Sequence, residues 1–164
     1  MIRFALLGSL FITAFSSCAQ TRNGIKKITA FYAIRIPGNI PAVENGNEFA
    51  NVIDTIHTIY IELNGKNIEW KQAWMANKIY TITTQLISKT PLEIGVDKVT
   101  RQDIVLTPSK GNSLWQLVLV PDKQTRPAPQ KIKPGEILLE GKLGRTTIYQ
   151  KIDNQTMLQL PPSV

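Results

Sequence analysis

Few side chains in this chain have the types and spacing for chemistry. Cys18 is the only cysteine and His57 the only histidine. A serine or cysteine hydrolase needs a nucleophile, a base and an orienting acid. His57 has Asp54 three residues before it, yet no Gly-x-Ser-x-Gly elbow lies in the mature chain. Glu62 and Glu69 are the nearest paired carboxylates, the residue types that glycoside hydrolysis uses. Strand periodicity places both on the polar face of one hairpin, as solvated surface charge. A lone histidine signals no multi-histidine zinc site, a cysteine taken by the leader leaves none for a thiolate site, and no glycine pattern for a nucleotide is present. No catalytic set, metal site or cofactor is therefore assigned. Trp70, Trp74 and Trp115 remain as side chains able to stack on a sugar or line an apolar pocket. Trp70 reads as core, and Trp74, close to a turn, as the more open ligand candidate. His57 reads as structural, bonded to Gln72 or to backbone.

Cys18 has a different chemistry. Met1-Ile2-Arg3 precedes an uncharged run from Phe4 to Ile12, the basic-then-apolar order of a secretory leader. The run is shorter than the about 20 apolar residues needed to cross a bilayer. Small residues, Ser16-Ser17, stand before Cys18-Ala19-Gln20. This arrangement resembles the lipobox of bacterial lipoproteins, although Phe15 stands where that family usually has leucine. The resemblance covers only the leader. It implies diacylglyceryl transfer to the Cys18 sulfur, removal of residues 1–17 and acylation of the new amino group. Ala19 is similar to the residue that directs such proteins to the outer membrane, so the resemblance implies a periplasm-facing, lipid-anchored address in the bacterial envelope. Two or more acyl chains hold stably, at about 0.8 kcal/mol per buried methylene. The alternatives are secretion, with Ser17-Cys18-Ala19 as a small-x-small cleavage site and Gln20 as the first residue, and an uncleaved membrane anchor.

Removing residues 1–17 leaves 147 of 164 residues, enough for one domain with its own core. Residues 18–26 read as a membrane-proximal linker and 27–162 as a single β domain. The leader holds one base, Arg3, and no acid, so the formal charge of +7 becomes +6. Arg22, Lys26, Lys27 and Arg35 precede the first acid, Glu44, and would lie beside the anchor. Each cation near anionic headgroups contributes about 1 kcal/mol. Nucleic acid is excluded as a partner by compartment and by the lack of a recognition motif.

The elements that must position these residues are strands. Short alternating segments broken by turn residues fill the chain. Lys27 to Ile36 alternates until Pro37-Gly38-Asn39. Phe49, Val52, Ile53 and Ile56 have the spacing of a two-turn helix capped by Asn47, though an extended connection fits equally. His57, Ile59, Ile61 and Leu63 share a face, as do Ile68, Trp70, Gln72 and Trp74. Asn64-Gly65 between them is a strong hairpin signal. That register sets Ile61 against Ile68, Ile59 against Trp70 and His57 against Gln72. A second turn falls near 75–79, followed by strands through Tyr80–Leu86, Leu92–Val96 and Ile104–Leu106. Leu114–Val120 follows, and its continuous apolar end, Leu117 to Val120, implies cover on both faces. Residues 121–134 read as an exposed, proline-stiffened basic loop. Glu136–Lys142, Arg145–Ile152 and Thr156–Leu160 close the domain, with Asp153-Asn154 turning between the last two. Pro161-Pro162 ends regular structure.

Eight to nine antiparallel strands at this spacing predict an all-β sandwich of immunoglobulin-like style, with an eight-stranded lipocalin-like barrel as the alternative. The long connections at 37–56 and 121–135 suit crossings between layers. The function expected is a non-enzymatic binding or structural module, with an envelope protein or polymer as partner. A carrier of small hydrophobic ligands, lined by Trp70, Trp74 and His57, and a hydrolase built on His57 are the alternatives. Asp54-Thr55-Ile56 and Asn154-Gln155-Thr156 match short glycosylation patterns that arise often by chance.

Overall fold

The computed structural model describes residues 23–35, 54–124 and 126–159. The leader, Cys18, the Pro37-Gly38-Asn39 break, residues 47–53 of the expected helix and Pro161-Pro162 lie outside them. Ten strands occur in chain order: β1 (Ile25–Arg35), β2 (Asp54–Leu63), β3 (Glu69–Met75), β4 (Lys78–Ile87), β5 (Leu92–Asp97), β6 (Asp103–Leu106), β7 (Ser113–Pro121), β8 (Ile137–Leu143), β9 (Thr146–Ile152) and β10 (Thr156–Gln159). The fold is all-β, with one or two strands more than the expected eight to nine. Residues 54–56 belong to β2, so the C-terminal end of the expected helix is strand. The first strand starts at Ile25, two residues before the expected domain edge.

The strands form one sheet in the order β6-β5-β10-β1-β2-β7-β4-β3-β8-β9. Neighbours are antiparallel except β1 and β10, which run parallel, with Phe31 level with Thr156. The sheet is curled. Ile152 ends β9 and Thr156 begins β10, yet seven sheet positions separate the two strands. In a flat sheet that is about 34 Å at ~4.8 Å per strand. Four extended residues span only about 14 Å. The sheet must therefore turn back on itself to bring β9 beside β10. It packs layers sandwich-fashion and stops short of a closed barrel: among the described residues β9 pairs only with β8.

Register assigns the faces. Ala30, Ile59 and Leu117 lie in line across β1, β2 and β7. They join Ile61, Leu63, Trp70, Ala73, Ile137 and Leu139 in the main core. Burying each large aliphatic side chain there contributes roughly 2 kcal/mol. On the opposite face of β1, β2 and β7, Phe31, Tyr60 and Leu114 pack with Leu106, Leu92 and Leu158. The β5-β6-β10 flap thus covers one end of that face. Its other end is open, because Val118 is half-buried and Val120 is 45% exposed. The expected double cover of Leu117 to Val120 holds for the leucines, which face the main core, and not for the valines.

Two expectations about β3 fail for physical reasons. Asn64-Gly65 does not join a hairpin: β2 pairs with β1 and β7, while β3 pairs with β4 and β8. Gly65 has the positive φ (65°) the turn signal implies, and Asn64 N–H donates to Gly24 C=O at 2.8 Å, ending β2. The chain then crosses to the other layer. Ile68 and Trp70 do meet Ile59 and Ile61, by packing across the core and not along a ladder. The second failure is the shared face. A register shift between Trp70 and Gln72 opposite β8 puts an extra residue into β3. Such a bulge reverses the alternation. Trp70 points into the main core, and Ala73 and Met75 continue there, but Trp74 turns to the other side with Ile79 and Leu138.

The true β3–β4 hairpin turns at Ala76-Asn77, both at positive φ (48° and 63°), between the paired Met75 and Lys78. That is the geometry of a type I′ turn. Asp153-Asn154 is likewise no hairpin turn, since β9 and β10 do not pair. The segment expected to be an exposed loop, 121–134, carries two half-buried apolar side chains, Ala128 and Ile132, which pack on Trp74, Ile79 and Leu138.

Candidate functional site

A chemically varied depression lies at the end of the sheet where β9 hands over to β10. Tyr32 reaches it from β1, Thr55 and His57 from β2, Gly135 from the turn before β8, and Asp153, Asn154 and Gln155 from the β9–β10 connection. The opening has a volume of about 470 Å³, the size range of small-ligand sites. Strand alternation places Tyr32 and His57 there: they are level in the β1–β2 ladder and share the main-core face at its end.

His57 is 8% exposed. Its Nδ1 lies 2.8 Å from Gln155 Oε1. The Gln155 amide nitrogen faces Gly135 C=O at 3.4 Å and Met75 Sδ at 3.6 Å, so its oxygen must face the ring. His57 therefore donates from Nδ1–H, which leaves the lone pair on Nε2. The ring sits edge-on to Tyr80 and tilted against Tyr32, with centroids at 6.0 and 6.2 Å. Burial pushes its pKa below the ordinary 6.5, and the Gln155 bond opposes this only in part. The imidazole is neutral at pH 7. Among the described residues no carboxylate or hydroxyl hydrogen-bonds it, and no three metal-ligating side chains cluster. The arrangement can offer a neutral acceptor nitrogen, two hydroxyls, an amide and the Asp153 carboxylate to a polar group.

The tryptophans are elsewhere. Trp70 is core, and Trp115 is half-buried against that core with Nε1 donating to Ser113 Oγ at 3.1 Å. Trp74 was expected to be the open one, yet it is only 3% exposed beneath Ala128 and Ile132. The bulge explains this, because it sends Trp74 to the face that the 121–134 segment covers. Trp70 and Trp74 lie on opposite faces of β3, so no single cavity touches both together with His57. The His57–Gln72 pairing also fails: Gln72 donates to Glu140 across β3–β8.

Glu62 was expected on a solvated face, and the structure buries it to 7% exposure. Its Oε1 accepts from Ser109 N–H at 2.9 Å and from the Asn112 side-chain amide. Burial raises its pKa, but these bonds and the charge of Lys27 outweigh burial and hold the carboxyl below its ordinary range. Beside it lies a partly open space of about 20 Å³ lined by Lys27, Tyr60 and Leu106, large enough for one water. Glu62 fastens the 107–112 loop to β2. Glu69, the other half of the proposed pair, lies exposed at the start of β3 and is engaged by Lys71.

Gln155 and Tyr32 escaped sequence reasoning, and Glu62 was named there only as solvated surface charge. Gln155 meets its partner across 98 residues, a separation that local spacing does not encode. No family model, curated protein or solved structure matches the chain.

Proposed function

We propose that the chain is a lipid-anchored protein of the bacterial envelope, outer-membrane and periplasm-facing, whose β body binds or scaffolds and does not catalyse. The observation that carries this reading is the lone Cys18 behind a short apolar leader, five residues ahead of Asn23, where the described fold begins. Acylation there would tether the body within about 20 Å of the bilayer surface. The state of His57 supports a binding role: it is neutral and held by an amide, while a general base is oriented by an acid. Its Nε2, with the Tyr32 and Thr55 hydroxyls and the Asn154 amide, would hold a polar group of an envelope polymer or protein.

Fractionation of expressing cells tests the anchor. The wild-type chain is expected in the membrane fraction, extractable by detergent and not by high salt. Cys18→Ser is expected to leave the mature product in the soluble fraction or the precursor unprocessed. Salt-extractable wild-type protein would overturn the reading.

A further inference from the structure

The strand register brings to one end of the molecule cations that are far apart in sequence. Ile25 is level with Leu63, Leu63 with Ser113, and Leu114 with Ile87, so the start of β1, the end of β2, the start of β7 and the end of β4 lie together. Glu69 pairs with Lys142 only six residues after Leu63, which brings the β8–β9 hairpin tip to the same end. Ser109, bonded to Glu62, brings the β6–β7 loop there too. This end carries Lys27, Lys66, Lys89, Lys110, Lys142 and Arg145, all exposed. Among the described residues the acids at this end are fewer: Glu62, buried and acted on by the Lys27 charge, Glu69, engaged by Lys71 and acted on by Lys142, and Glu93. The opposite end mixes its bases with Asp97, Asp103, Asp122, Glu136 and Asp153. The described fold begins at the basic end, because Gly24 lies against Asn64 and Lys66.

We propose that this basic end is a docking surface for an anionic phospholipid bilayer, a proposal that rests on the Cys18 anchor for its proximity. The tether and the charge act on the same face. A body held at the surface by its N-terminus presents that end to the headgroups, and each cation close to an anionic surface adds to the attraction, which decays within a Debye length. The anchored protein therefore stands upright on its strand ends, and the His57 cleft, at the other end of the strands, faces away from the membrane. A single protein partner would need carboxylates spread over the start of β1 and four separate connections at once, whereas a bilayer supplies a laterally continuous charge.

The test uses the acylated protein purified from membranes and reconstituted in nanodiscs of phosphatidylcholine alone or mixed with phosphatidylglycerol. Lysine acetylation is read site by site by mass spectrometry. Lys66, Lys89, Lys110 and Lys142 are expected to react about fivefold more slowly in the anionic discs and to recover in high salt. Lys78, Lys98, Lys123 and Lys133 are expected to be unchanged. Equal reactivity at both ends would overturn the proposal. Protection by added heparin in zwitterionic discs, without protection by phosphatidylglycerol, would also overturn it in favour of a soluble polyanion. If Cys18 carries no acyl mass, the anchor fails but the surface can still be read: the secreted protein is spun down with phosphatidylglycerol vesicles. Binding weakened about a hundredfold by the combined Lys66→Gln, Lys89→Gln, Lys110→Gln and Lys142→Gln substitutions, and not by the same changes at the opposite end, would support the surface alone. No binding would reject it.

Discussion

Replacing Gly141 by alanine decides between two opposite expectations. Intrinsic preference says the change stabilises: glycine inside a strand costs roughly 0.5–1 kcal/mol relative to alanine. The packing of β3 on β8 says the reverse. Trp70 lies directly across from Gly141 in the ladder. A Cβ at Gly141 would come within 2.8 Å of Ile68 Cγ2, 2.9 Å of Trp70 Cε3 and 3.3 Å of Glu69 C=O. Ile68 and Trp70 are both buried, and the third atom is backbone, so none can swing into solvent. Overpacking of this kind costs about 1–3 kcal/mol. Set against the gain in preference, a net loss of about 1–2 kcal/mol is expected, or roughly 3–8 °C in melting temperature for a chain of this size. Thermal and urea unfolding of wild type, Gly141→Ala, Ile68→Ala and the double variant measure it. The double variant should lose less than the two single losses combined, because removing the Ile68 branch makes room for the new methyl. A Gly141→Ala protein as stable as wild type, or more so, would refute the Trp70–Gly141 register and with it the bulge that separates Trp70 from Trp74.

Three other outcomes follow from local physics. Ala76 holds a left-handed conformation that costs a side chain with Cβ about 1 kcal/mol, so Ala76→Gly should leave stability unchanged or raise it by up to that amount in urea unfolding. His57 binds its proton less readily folded than unfolded, so it contributes stability that is full above about pH 6.5 and is lost as pH falls through its lower folded value. Unfolding free energies measured down that range should fall in wild type and fall less steeply in His57→Gln. Glu62→Ala leaves Ser109 N–H and the Asn112 amide without their acceptor, and should cost about 1–3 kcal/mol and speed hydrogen exchange at the Ser109 amide. Unchanged exchange at Ser109 would refute the fastening role of Glu62.

The strands themselves were legible because half-buried segments alternate and their ends carry turn residues. The bounds expected for the last two agree with β9 and β10 apart from one residue at the start of β9, and Leu160 lies outside the described residues. What alternation cannot supply is the partner of each strand. Asn64-Gly65 has the right residue types for a hairpin, yet it serves a crossing, and Ile61 and Leu63 share the main core with Ile68 without pairing beside it. The bulge in β3 left no mark in composition, and one unpaired residue was enough to move Trp74 from a supposed opening to the floor beneath Ala128 and Ile132. Glu62 illustrates the limit for charge. Its position on the strand face opposite the main core was read correctly, but that face is covered at this end by the 107–112 loop, so an expected surface carboxylate is an internal acceptor. His57 was correctly placed at the end of an apolar face, while its partner Gln155 depends on how the sheet curls, which only the three-residue link between β9 and β10 constrains.

Intact-mass and N-terminal peptide analysis of the protein purified from its native membranes tests the central claim most directly. The account expects residues 1–17 to be absent, Cys18 to be the first residue, and its peptide to carry a diacylglyceryl group with an additional acyl chain. A product beginning at Gln20, or an unmodified thiol at Cys18, would contradict it.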